Sequence, residues 1–105
     1  MIFIETSFFT KRLVETLPDE EYRQFQTALA LDPELGDLIP GSCGIRKVRW
    51  NLPDTGKKGG IRVIYYWAVS RDQIYLLLLY KKTVKENIDP DQLEILRQLV
   101  KGEFK

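Results

Sequence analysis

Between Arg46 and Arg62 the chain carries six cations, Arg46, Lys47, Arg49, Lys57, Lys58 and Arg62, against one acid, Asp54. Six charges less one leave +5 in this stretch, while the whole chain carries only +1, so the positive charge is gathered in one place and balanced elsewhere. Such a concentration is the electrostatic footprint of a polyanion site. Lys81 and Lys82 extend the group, and Tyr66 and Tyr80 lie within the same part of the chain, where an aromatic face can stack on a base.

The rest of the composition restricts what chemistry these residues can do. The chain has no histidine and a single cysteine, Cys43, so it can form neither an internal disulfide nor a histidine-based triad, and a zinc site lacks its usual ligands. Magnesium needs converging carboxylates, whereas the acids are scattered and only Asp54 lies inside the cationic stretch. The expectation is a metal-free, cofactor-free site carried by Arg, Lys or Tyr. Glu20 and Glu21 read as helix-start residues, and Cys43, with no basic helper, as inert.

Three strands must position the cations. Ile45 to Trp50 alternates basic and apolar residues, and Asn51 to Gly60 is a lysine- and glycine-rich loop. Ile61 to Val69 follows, with Ile61, Val63, Tyr65, Trp67 and Val69 on one face and Arg62, Ile64, Tyr66 and Ala68 on the other. Both faces are mostly apolar, which predicts a central strand covered on both sides. Gln73 to Lys81 is equally apolar, and the Ser70-Arg71-Asp72 turn is too short for a crossover, so the two segments pair as an antiparallel hairpin. A turn centred near residues 71 and 72 places Arg62 opposite Lys81 or Lys82.

Helices and a first strand complete the order. Met1 to Glu5 is rich in strand formers. Thr6 or Ser7 caps a helix to about Leu17, with Phe9, Leu13, Val14 and Leu17 on its inner face. Asp19 caps a second, whose stripe is Tyr22, Phe25, Leu29 and Leu31, and Asp32-Pro33 stops it. Pro33 to Gly44 reads as a loop pinned by Leu35, Leu38 and Ile39. Asp89-Pro90-Asp91-Gln92 starts a C-terminal helix with Leu93, Leu96, Leu99 and Val100 inward, ending near Gly102. The fold class is α+β, in the order β-α-α-β-β-β-α, with two N-terminal helices, an antiparallel-rich sheet and a C-terminal helix.

At 105 residues and 44% hydrophobic the chain is expected to form one globular domain, residues 1–105, with a real core. No run approaches the roughly 18 apolar residues of a membrane span, and the opening MIFIETSFF lacks the cationic region of a signal peptide. A soluble cytoplasmic protein without a membrane partner is expected.

The phrase LGDLIPGSCGIRKVRW, the loop GKKGGIRVIYYW and the ending YLLLLYKK, set behind a short strand and two helices, together resemble the RelE superfamily of type II toxin-antitoxin toxins. The likeness is closest to its HigB-like branch, which shows similar G-G-x-R-x-I-Y-Y and Y-x-K signatures. It runs over nearly the whole chain and implies a small RelE-like fold. The implied activity is that of an mRNA interferase, an endoribonuclease that cleaves messenger RNA in the decoding A site of the 70S ribosome, near 16S rRNA, and so inhibits translation. The implied partners are a cognate antitoxin protein, mRNA and the ribosome, with DNA met only through the antitoxin complex.

Carried over by position, Lys47 and Arg49 match the two cations of the strand before the glycine loop, Arg62 matches the arginine opening the next strand, and Lys82 stands where the family often has arginine. In the implied reaction the RNA 2′-hydroxyl attacks its own adjacent phosphate, so the protein aligns it, moves protons and stabilises charge on the phosphorane oxygens. Arg62 is the expected phosphate clamp, with Arg49 and Lys82 as further cations, and Lys47 is the candidate base. Arg46, Lys57, Lys58, Tyr66, Tyr80 and Lys81 are the expected RNA-binding residues. The chain departs from the family near the C-terminus, where several members place a tyrosine or histidine: only Phe104 is aromatic after Tyr80. Tyr80 or Tyr66 is the candidate substitute. Two other functions remain open at this point: a module that binds RNA or ribosome without cutting, and a partner-binding protein built to hold an antitoxin.

Overall fold

The computed structural model describes residues 1–51, 60–82 and 87–103. In chain order the elements are β1 (Ile2–Glu5), α1 (Ser7–Thr16), α2 (Asp19–Leu31), β2 (Asp37–Leu38), β3 (Ile45–Asn51), β4 (Gly60–Ala68), β5 (Gln73–Lys81) and α3 (Pro90–Glu103). The strands form one sheet in the order β1-β5-β4-β3-β2. Among the described residues only β1 and β5 run parallel; the other neighbours are antiparallel. This is the expected α+β class and element order, with a two-residue strand, β2, inside the segment expected to be a loop.

β4 is the central strand its two apolar faces require. On one face Val63 and Tyr65, with Val48 of β3 and Leu76 of β5, are covered by Phe9 of α1, Leu17 at its C-cap, and Phe25 and Leu29 of α2. On the other, Ile64 and Ala68, with Ile45 and Leu77, pack under Leu96 and Val100 of α3. Val14 and Leu31, expected in the helix stripes, are 82% and 83% exposed. Phe9, Leu13 and Leu17 succeed one another at four-residue spacing, which turns Val14 away from the sheet; Leu31, two residues past the buried Leu29, points to the opposite side of α2. Asp19 is the first helical residue of α2 rather than its cap, a position held by Pro18.

Thr6 caps α1: its hydroxyl oxygen accepts from the Phe9 amide at 3.1 Å and its hydroxyl donates to the Leu77 carbonyl at 2.8 Å. That second bond joins the start of α1 to an irregularity in β5. Ile64 pairs with Leu78 while Tyr65 pairs with Leu76, so Leu77 is the extra residue of a β-bulge.

The bulge and the turn together correct the expected register. Val69–Arg71 forms a 3-10 turn closed by Asp72 in the left-handed region at φ 51°, and Ala68 pairs with Gln73. The connection is therefore four residues long and centred between Ser70 and Arg71. Arg62 lies opposite Tyr80, not Lys81 or Lys82, and Ile61 takes Lys81.

Candidate nucleic-acid interface

Side chains along a strand alternate between faces, and this alternation divides the cations of β3. Lys47 and Arg49 share the α3-side face with Ile45, while Arg46 shares the other with Val48 and Trp50. Arg49 is directly opposite Arg62 of β4, and Arg62 is directly opposite Tyr80 of β5. Arg49, Arg62 and Tyr80 thus form one cross-strand row. Directly opposed pairs put their Cβ atoms about 4.5 to 5.5 Å apart. Lys47 lies one step along the same face of β3, about 6.6 Å from Arg49 by strand rise.

Exposure separates the members of the row. Arg49 is exposed, whereas Arg62 is only 2% exposed and Tyr80 is buried. The Arg62 guanidinium donates to the Ile61 carbonyl at 3.4 Å, and a Cβ placed on Gly60 would lie 3.5 Å from its Nη1, so the chain turns closely around this side chain. Lys47 is half-buried, and its Nζ donates to Oδ1 of Asn87 at 2.7 Å. This bond spans 40 residues and ties β3 to the segment leading into α3.

The other expected RNA-binding residues fall in several places. The Arg46 guanidinium is spent on the opposite side of the sheet, donating to the Gly36 carbonyl at 2.7 Å and the Glu34 carboxylate at 3.2 Å. It fastens the segment before β2 to β3 and does not join Lys47 and Arg49. Tyr66 shares the face of Arg62 but stands four residues away, about 13 Å along the strand, packed beside Ile45 and α3. Lys81 and Lys82 are exposed at the open end of the hairpin, where the Lys82 amide donates to the Gly60 carbonyl at 3.1 Å. Lys57 and Lys58 lie outside the described residues. Among the described residues no group of three or more His, Cys, Asp or Glu is placed to hold a metal ion, and no helix is long and apolar enough to cross a membrane.

Two residues that the sequence did not single out join this face. Asp37 of β2 pairs opposite Lys47, and Asn87 bonds its ammonium group. Asn87 left no local signal, because its partner is remote in sequence; Asp37 stood in the stretch LGDLIPG but counted there only as loop.

Two tyrosines away from the row have hydroxyls held in their neutral form. Burial raises the Tyr22 pKa well above its ordinary value, and donation to the Glu5 carboxylate at 2.6 Å adds to the rise. Burial likewise raises that of Tyr65, which donates to the Pro33 carbonyl at 2.8 Å and accepts from the Gly36 amide at 2.9 Å.

No family model matches the chain. Solved structures do. The intact E. coli RelBE toxin-antitoxin complex contains a chain that is 14% identical, with a TM-score of 0.57 over 76% of this chain and 94% of that one. An arginine-to-alanine double mutant of the E. coli toxin RelE in the free state is 17% identical, with a TM-score of 0.56 over 81% of this chain and 86% of that one. The isolated E. coli RelE toxin is 13% identical, with a TM-score of 0.53 over 93% and 97%. At these identities the likeness speaks for backbone architecture, and the chain has a RelE-like fold.

Proposed function

We propose that the chain is the toxin of a toxin-antitoxin pair and acts as a metal-independent endoribonuclease on messenger RNA in the ribosomal A site. One observation carries this reading: Lys47, Arg49 and Arg62 come together on one face of the sheet, two of them in a directly opposed pair. Like charges directly opposed across strands are destabilising, and a phosphate bound between them offsets that repulsion. The RelE-like fold supports the choice of RNA, and the toxin-antitoxin complex among the similar structures supports an antitoxin as partner.

In this reaction the 2′-hydroxyl oxygen forms a bond to phosphorus as the bond to the 5′-oxygen breaks, and the departing oxygen takes a proton from water. The products are a 2′,3′-cyclic phosphate and a 5′-hydroxyl. Arg49, exposed, grips the phosphate; Lys47, once it has released one proton of its ammonium to solvent, takes the 2′-hydroxyl proton; Lys82 adds charge from the hairpin end. Arg62, buried beneath them, raises the local potential, and touches phosphate directly only when its guanidinium is uncovered. A ribosome-supplied alignment would leave free RNA poorly cut.

Binding without cleavage is the second reading, and the burial of Arg62 favours it. Translation of a defined messenger in a purified bacterial system, with new 5′ ends mapped by primer extension, separates the two. A-site cuts made by wild type and lost in Arg49→Ala are expected. An intact messenger with folded wild type overturns the ribonuclease and leaves the binding module.

A further inference from the structure

Two open hollows adjoin along the outer side of β3. One, of about 370 Å³, runs past Lys47, Arg49 and Trp50. The other, of about 400 Å³, lies between β2 and the start of α3 and is walled by Ile39, Pro40, Ile88, Pro90 and Leu93. Asp37 and Lys47 line both, so Lys47 stands at the junction between a cationic hollow and a mostly apolar one.

Among the described residues lining the apolar hollow, the polar side chains are Asp37, Lys47 and Asn87, gathered at that junction. Asn87 Oδ1 is occupied by the Lys47 ammonium, which leaves the two hydrogens of Nδ2 as donors. Asp37, directly opposite Lys47, makes no hydrogen bond or ion pair among the described residues, so both carboxylate oxygens are available as acceptors. Apolar walls with donors and a carboxylate at one edge match a nucleobase, whose faces are apolar and whose rim is polar.

We infer that this hollow is a base-binding subsite selective for guanine, placed beside the phosphate-gripping cations; the inference rests on the RNA reading above. Guanine alone among the four bases presents two adjacent donors, N1–H and N2–H, that can pair with one carboxylate, next to an acceptor, O6, that can receive Asn87 Nδ2 or Lys47 Nζ. Adenine offers the carboxylate a single donor group, as does cytosine, and uracil sets one donor between two acceptors. Lysine donation to guanine O6 and N7 is among the commonest specific base interactions. Lys47 therefore has two duties: it joins the base subsite to the phosphate site, and Asn87 positions its ammonium for both.

The test uses the four nucleoside 3′,5′-bisphosphates, each carrying one base and phosphates for the cations, titrated into ¹⁵N-labelled protein. The guanosine compound is expected to bind about tenfold more tightly than the adenosine one. It should shift the Asn87 side-chain NH2 signals and the amides of Asp37 and Leu38. Asp37→Asn and Asn87→Ala, both at exposed positions, should keep the fold and remove the preference. Equal binding of all four compounds overturns the subsite, as does a guanosine preference that survives Asp37→Asn with Asn87 unmoved. The measurement needs no cleavage. A guanine preference in a protein that leaves messenger intact keeps the subsite and removes the ribonuclease, whereas cutting without a preference removes the subsite alone.

Discussion

Arg49 and Arg62 are paired directly across β3 and β4, one exposed and one buried, on the face that also carries Lys47. Two guanidinium groups at opposed positions repel one another, at a cost of a few tenths to about 1 kcal/mol. Arg49→Ala should therefore leave the melting temperature unchanged or slightly higher while lowering messenger cleavage by roughly 10²- to 10³-fold, the usual effect of removing a preorganised donor. The salt dependence of RNA binding should also become shallower, by about 0.7 in the slope of log K against log salt for each phosphate that is no longer neutralised. A large loss of stability with unchanged cleavage would make Arg49 a structural residue.

How much of this was legible in the sequence depends on which physical rule applied. The two faces of β4 followed from a strict period of two, and they fixed Ile61, Val63 and Tyr65 against Ile64 and Ala68 without reference to anything remote. The same period separates Arg46 from Lys47 and Arg49, which the net charge of the stretch alone could not do. The bulge at Leu77 was hidden because Leu76 to Leu79 are four identical residues, so an inserted position leaves no break in the pattern. The true pairing of Arg62 with Tyr80 was hidden with it. The bond between Lys47 and Asn87 depends on where α3 begins relative to β3, a tertiary fact with no sequence spacing to announce it.

Arg46 gives the complementary test to Arg49. Its guanidinium holds the Gly36 carbonyl and Glu34 on the opposite face. Glu34 is exposed, so that ion pair contributes little, and the bond to Gly36 carries most of the effect. Arg46→Ala should cost about 1 to 2 kcal/mol in urea unfolding and change cleavage per folded molecule by less than Arg49→Ala does. If cleavage falls as far as in Arg49→Ala, the two faces are not functionally distinct.

Gly36 sets the distance between the β2 segment and β3. A Cβ there would meet the Lys47 carbonyl oxygen at 2.8 Å and the Tyr65 ring at 3.0 Å, and the first of these is backbone that cannot swing aside. Gly36→Ala should destabilise by about 1 to 3 kcal/mol, the range for forced overpacking, despite the favourable entropy of losing a glycine. It should also move the amide signals of Asp37 and Lys47, and lower cleavage by displacing Lys47. A variant as stable as wild type would show that β2 can lift from β3 without consequence.

Thr6 joins the α1 cap to the bulge through a single hydroxyl, accepting from Phe9 and donating to Leu77. Thr6→Ala removes both bonds and should cost about 1 to 2 kcal/mol, with an unchanged urea m-value. Thr6→Ser keeps both and should restore most of the loss. Failure of serine to rescue would assign the effect to the missing methyl group instead.

Tyr22 and Glu5 make the protein sensitive to alkali. The Tyr22 hydroxyl, held neutral by burial and by donation to Glu5, keeps its proton at pH values where an unfolded tyrosine, with a pKa near 10, has lost it. The folded state then binds more protons than the unfolded one, so stability falls as pH rises. The contribution is fully present below about pH 10 and declines above it, by at most about 1.4 kcal/mol per pH unit for each such tyrosine. Solvent screening at the half-exposed Tyr22 keeps the actual slope below that limit. Tyr22→Phe should reduce the loss of stability between about pH 10 and 11 without abolishing it, because burial raises Tyr65 in the same direction. Urea unfolding followed across this range reads the difference. Parallel curves for wild type and Tyr22→Phe would mean that the hydroxyl ionises as freely in the folded chain as in the unfolded one, and that Glu5 is held by Thr10 alone, whose hydroxyl donates to its other oxygen at 2.6 Å.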